Sequence, residues 1–158
     1  MYEKILVPLD GSKLGEAALP YVEGLVSKLA SVSEVEVTLF QVLSLLTHWV
    51  IAGEASVSIP YTEPEMERFK QQAIDYLGNV GEGLKSKGAT VKIRIGVGVA
   101  AEEIISAASA IDAELIAMST HGRSGLSRWA LGSVTDRVLR GCDTPVLVVR
   151  APKAVEKG

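Results

Sequence analysis

Five short aliphatic runs, separated by segments with helical spacing, constrain this chain more than any other feature. The runs are KILVPLD at 4–10, EVEVTLFQVL at 34–43, TVKIRIGVG at 90–98, AELIAMS at 113–119 and PVLVVR at 145–150. They are short, rich in Val, Ile and Leu and mostly bounded by Gly, Pro, Asp or Ser, and so read as strands. In TVKIRIGVG, Lys92 and Arg94 face away from Val91, Ile93 and Ile95, the pattern of a half-exposed edge. The first helical segment, 12–30, sets Ala18, Val22, Leu25, Val26 and Leu29 on one face, with Ser12 placed to cap it and Pro20 expected to kink it. Thr62 and Glu65 have capping-box spacing around Pro64 and open a helix that carries Met66, Phe69, Ala73, Leu77, Val80 and Leu84 and stops at Gly88. Ile104, Ile105, Ala108 and Ile111 mark a third helix, and Val134, Val138 and Leu139 a fourth. Residues 44–62 contain Gly53 and Pro60 and show no clear period, which predicts a long irregular loop. Parallel strands need helical crossovers, so the pattern predicts an α/β fold: a single open five-stranded parallel sheet with helices on both faces.

At 158 residues the chain suits one domain, 1–152, with 153–158 as a C-terminal tail. A net charge of -3 argues against a nucleic-acid partner. No run approaches the roughly eighteen apolar residues that suggest a membrane span. The start, MYEKILVPLDGS, lacks a signal-peptide profile. Cys142 is the only cysteine, so no internal disulfide is possible and a reducing compartment fits; the residue reads as a helix-end position without chemistry. A cytoplasmic protein is therefore expected. Its charge is uneven: residues 1–120 hold 9 basic and 16 acidic side chains, residues 121–158 hold 7 and 3. Arg123, Arg128, Arg137 and Arg140 make up most of that excess, either as a solvated helix face or as a field that favours a small polyanion.

In open α/β sheets ligands bind beyond the carboxyl ends of the strands, where the strand order reverses. Two polar clusters stand at such ends, LDGS at 9–12 and STHGRSG at 119–125. Gly122, Gly125 and Gly132 let the main chain approach a ligand, and Ser133 opens the next helix with a hydroxyl donor. Main-chain N–H groups leading into a helix N-terminus suit a phosphate. Neither a Walker A lysine nor a Gly-x-Gly-x-x-Gly after the first strand is present, so the residues alone leave open a glycine-containing loop with no ligand. His121 suits a phosphate contact or an exposed loop position, and His48 has no partner at metal-ligand spacing. No acidic residue is placed to orient either histidine in a nucleophilic triad. Trp129 and Leu131 read as packing anchors for the loop.

The stretches ILVPLDGS, GVGVAAEEI and MSTHGRSGLSRWALGSVTDRVLRGCDTPVLVV together resemble the universal stress protein family across nearly the whole chain. The ATP-binding branch of that family carries Gly-x2-Gly-x9-Gly-[Ser/Thr]. Gly122, nine intervening residues and then Gly132 and Ser133 match its second half, whereas Ser119 stands at its first glycine. The resemblance implies strand order 3-2-1-4-5 and ATP, or AMP or ADP, held between the loops after the first and fourth strands. It places Asp10 on the ribose and Pro8, Leu9, Val42 and Met118 against the adenine. The other residues expected at the nucleotide site are Ser119, His121, Gly122, Arg123, Gly125, Gly132, Ser133 and Val134. By residue type alone Asp10 is equally a turn or capping aspartate, and the four adenine positions are equally core. The family's Gly-x-Pro before the third helix stands here as Gly98, Val99 and Ala100, without the proline.

Any accompanying metal is expected to be magnesium, held chiefly by phosphates and water. Two copies are expected to pair across Val146, Val148 and Arg150, because an apolar strand at a sheet edge invites another chain. The implied function is a nucleotide-dependent signalling or stress-adaptation module without efficient catalysis. The alternatives are a slow ATPase or nucleotidyl-transferring enzyme on a related fold, and a nucleotide-free dimerisation module. An enzyme needs a water-positioning base and a charge-stabilising group, for which only Asp10, His121 and Arg123 are available.

Overall fold

Five strands form one parallel sheet, and the side chains of its inner strands alternate between two buried layers. The computed structural model describes residues 2–43, 47–120 and 131–152. In chain order the elements are β1 (Lys4–Pro8), a 3-10 turn (Leu14–Ala18), α1 (Leu19–Leu29), β2 (Glu36–Leu43), β3 (Thr47–Ala52), β4 (Ala55–Pro60), α2 (Glu63–Ser86), β5 (Thr90–Val97), α3 (Ala100–Ala110), β6 (Leu115–Ser119), α4 (Ser133–Gly141) and β7 (Val146–Val149). The main sheet runs β5-β2-β1-β6-β7, every neighbouring pair parallel. Counted alone in chain order these strands run 3-2-1-4-5; two further strands, β3 and β4, shift the labels and were not expected.

Alternation along the strands divides the core. Ile5 and Val7 of β1 with Leu9 just beyond it, Val37 and Leu39 of β2, and Leu115 and Ala117 of β6 pack with Val22 and Val26 of α1 and Leu77 and Leu84 of α2. Leu6, Phe40, Ile116 and Met118 point the other way, onto Ile104, Ala107 and Ala108 of α3 and Val138 of α4. Burial on both faces explains why the inner strands read as continuous apolar runs. β5 lies at one edge, where Lys92 and Arg94 are exposed and Lys92 pairs with Glu36 at 2.6 Å.

The capping box of α2 is formed: the Thr62 side chain accepts from the Glu65 N–H, and the Glu65 carboxylate accepts from the Thr62 N–H at 2.8 Å. Gly88, with φ +101°, follows the end of that helix in the left-handed conformation. Three expectations are corrected. Residues 47–60 are an antiparallel hairpin separate from the main sheet, with Gly53 at φ +68° in its two-residue turn. Pro20 does not kink a helix; it sits in the first turn of α1, where a missing N–H costs nothing. Leu131, expected as a packing anchor for the loop, is 45% exposed. His121, Gly122, Arg123, Gly125, Arg128, Trp129 and the 153–158 tail lie outside the described residues.

Candidate functional site

A cavity of about 170 Å³ opens at the carboxyl ends of β1, β2 and β6, on the α3–α4 side of the sheet. Its position follows from topology: β2 and β5 lie to one side of β1, β6 and β7 to the other, so the order reverses there. Pro8, Leu9 and Asp10 border it from β1 and the turn beyond, Val42 from β2, and Met118 and Ser119 from β6. Gly132, Ser133 and Val134 border it from the start of α4. These nine are all the expected site residues that fall within the described chain. Leu9 and Met118 are each 5% exposed and belong to opposite core layers, so they serve the core and the cavity together.

Asp10 is held by its own turn. Its Oδ1 accepts from the Ser12 N–H at 2.9 Å and from the Ser12 hydroxyl at 2.6 Å, while Ser12 Oγ accepts from the Gly15 N–H at 3.0 Å. Ser12 is not the N-cap of either helical element, a position held by Lys13 and by Ala18; it instead ties the 3-10 turn to the carboxylate and orients it. A Cβ on Gly15 would collide with Asp10 Oδ1, so glycine is required for this approach. Asp10 is thus a turn aspartate and a cavity residue at once.

On the opposite wall, the chain returning at Gly132 is stitched to the end of β6. The Gly132 N–H donates to the Thr120 carbonyl at 3.1 Å, and the Thr135 hydroxyl donates to the Ser119 carbonyl at 3.1 Å. Thr120 Oγ1 also accepts from the Ala151 N–H at 3.4 Å. A Cβ on Gly132 would overlap the Thr120 carbonyl oxygen, so this glycine serves the approach of two main-chain segments. Gly132 is the N-cap of α4 and supplies no capping side chain. The first-turn N–H groups and the helix dipole consequently make that end of the cavity favourable to an anion.

Further along α4, Arg137 pairs with Glu102 at 3.4 Å and Arg140 with Asp136 at 3.1 Å. Both arginines are exposed and paired, which supports the solvated-face reading for this half of the basic excess. Among the described residues no cluster of three or more His, Cys, Asp or Glu side chains is placed to hold a metal, and Asp10 is the one ionisable residue lining the cavity. Gly15, Phe40, Ala100, Ile104, Thr120 and Thr135 also line it and were not expected. The strand-face pattern points to Phe40, two residues before Val42; Ala100 and Ile104 depend on how α3 docks, which no local pattern specifies.

Sequence and structure comparisons converge. The model of the Universal stress protein family matches residues 1–150. Universal stress protein MJ0577 of Methanocaldococcus jannaschii is 34% identical over 158 aligned positions, which cover 95% of this chain and 96% of that one. A solved structure of MJ0577 superposes with a TM-score of 0.72 at 27% identity, covering 98% and 99% of the two chains. A universal stress protein crystallised with cAMP has a TM-score of 0.62 at 22% identity, covering 94% and 97%. One from Archaeoglobus fulgidus, in complex with dAMP, has a TM-score of 0.60 at 18% identity, covering 94% and 98%.

Proposed function

This chain belongs to the universal stress protein family, and from that premise we propose that it binds an adenine nucleotide, ATP or its relatives AMP and ADP, in the cavity beyond β1, β2 and β6. One observation carries the proposal: Asp10, Met118, Gly132 and Ser133, distant in sequence and named for different parts of a nucleotide, line one cavity. Phe40, Val42, Ile104 and Met118 suit a base. The Asp10 carboxylate suits ribose hydroxyls, and the start of α4 suits phosphate. Ligand pockets commonly measure about 300–1,000 Å³, so a cavity of about 170 Å³ has room for the base and part of the sugar. The phosphates then lie at its mouth, beside Ser133, with His121, Gly122, Arg123 and Gly125 as further contacts. Magnesium, if it accompanies ATP, is held by phosphates and water. The relatives that share this fold and carry cAMP or dAMP support adenine as the base.

The biological role we propose is nucleotide-dependent signalling or stress adaptation in the cytoplasm. Efficient hydrolysis needs a positioned base and a cation on the transferred phosphoryl group. Asp10 is already committed to Ser12 and, on this reading, to the ribose. Phosphate release is therefore expected well below the roughly 1 per second of an ordinary enzyme. Two copies pair across β7. The Pro145 and Val149 carbonyls accept from Ile116 and Thr120, so alternation turns the N–H groups of Val146 and Val148 toward the outer edge, ready for a partner strand.

Mass spectrometry of the nucleotide released when the purified protein is denatured tests the proposal. ATP, ADP or AMP in near-equal amount to protein is expected. An empty protein that also fails to bind added ATP would overturn it.

A further inference from the structure

Tyr76 lies half-buried on α2, sixty residues from its hydrogen-bond partner Glu16, to whose Oε1 it donates at 3.0 Å. Glu16 belongs to the 3-10 turn that follows Asp10 and stands next to Gly15. Gly15 is bound to Ser12 Oγ, and its missing Cβ admits the Asp10 carboxylate. Ser12 in turn donates twice to Asp10 Oδ1. A continuous path of hydrogen bonds and one tight contact thus joins α2 to the Asp10 carboxylate. The other partner of Glu16 among the described residues, Lys13, is 93% exposed, and an exposed ion pair holds little. Tyr76 is therefore the contact that ties Glu16 to the body of the protein. Burial first, then the bond to Glu16 and the charges of Glu16 and Asp10, push the Tyr76 pKa upward, so its hydroxyl remains a donor across the physiological range.

We propose that Tyr76 is a positioning residue for the nucleotide site: through Glu16 it fixes the turn that aims the Asp10 carboxylate at the ribose. This rests on Asp10 being the ribose acceptor, as proposed above. The test is calorimetric titration of the full chain with ATP and with 2′,3′-dideoxyATP, which lacks both ribose hydroxyls. Tyr76→Phe removes only the hydroxyl oxygen; it is expected to weaken ATP binding about three- to tenfold, the value of one hydrogen bond, and to leave dideoxyATP unaffected. Glu16→Gln keeps a neutral acceptor for Tyr76 and should weaken ATP binding less than Tyr76→Phe does. In an Asp10→Ala background Tyr76→Phe should cost nothing further. Equal weakening of both nucleotides makes Tyr76 a merely structural residue and overturns the proposal, as does unchanged ATP binding. If the unmodified protein binds the two nucleotides equally, Asp10 does not grip the ribose, and the ribose assignment falls together with the proposal built on it.

Discussion

Replacing Gly132 by alanine puts a methyl group where the Thr120 carbonyl oxygen already lies. The obstacle is main chain at the end of β6, which has no rotamer to change. It is also the carbonyl that accepts from the Gly132 N–H at 3.1 Å, so the first turn of α4 must move away from β6 and strain that bond. The Thr135 hydroxyl, bound to the neighbouring Ser119 carbonyl at 3.1 Å, resists the movement. Overpacking of this kind costs about 1–3 kcal/mol. In a chain of this size each kcal/mol lowers Tm by about 2–4 °C, so Gly132→Ala is expected to melt about 2–12 °C below the wild type with no nucleotide present. Circular dichroism melts of nucleotide-free protein measure this directly. Gly132→Val should lose more, and should weaken ATP binding more than Ser119→Ala, which keeps every main-chain group in place. A Gly132→Ala protein that melts with the wild type would refute the close approach of α4 to β6. If Ser119→Ala were the more damaging to ATP binding, the serine hydroxyl would be an essential ligand.

Asp10→Ala removes the acceptor of two Ser12 hydrogen bonds and the proposed ribose contact together. It should lower the apo Tm by about 2–12 °C, at about 0.5–1.5 kcal/mol for each of the two bonds, and reduce the stabilisation that ATP gives, which at a hundredfold excess over Kd is about 2.7 kcal/mol for the wild type; an unchanged ATP-induced shift would count against the ribose contact. Val148→Pro removes an outward N–H without touching the β6 ladder and should release monomers, as read by light scattering; an unmodified protein already monomeric at micromolar concentration would exclude pairing across β7. Thr62→Ala breaks the capping box of α2 and should cost about 1 kcal/mol in thermal or urea unfolding; no loss would mean that the cap is redundant.

The main sheet was legible because its inner strands are buried on both sides. Ile5 to Leu9 and Leu115 to Met118 read as unbroken apolar runs, and β5 gave itself away by alternating Lys92 and Arg94 with apolar neighbours. The hairpin is not legible in this way because its two short strands pair with each other in a separate sheet, outside the alternation of strand and helix that marks the main one. The signal available was Gly53 at the first position of a two-residue turn, between segments that pair Val50 with Val57. The sequence singles out Gly132 for the approach of main chain to a ligand, whereas its close approach to the Thr120 carbonyl joins segments that only the tertiary structure brings together. Gly15 was overlooked for the same reason, since its neighbour is the Asp10 carboxylate folded back by Ser12. Glu16 and Tyr76 were equally invisible, because a bond across sixty residues leaves no local pattern.

Calorimetric titration of the nucleotide-free protein with ATP and magnesium tests the central claim most directly. Saturable binding of one nucleotide per chain is expected, weakened in Asp10→Ala and in Gly132→Val. The absence of saturable binding at any accessible ATP concentration would contradict it and leave the family's fold here without the nucleotide.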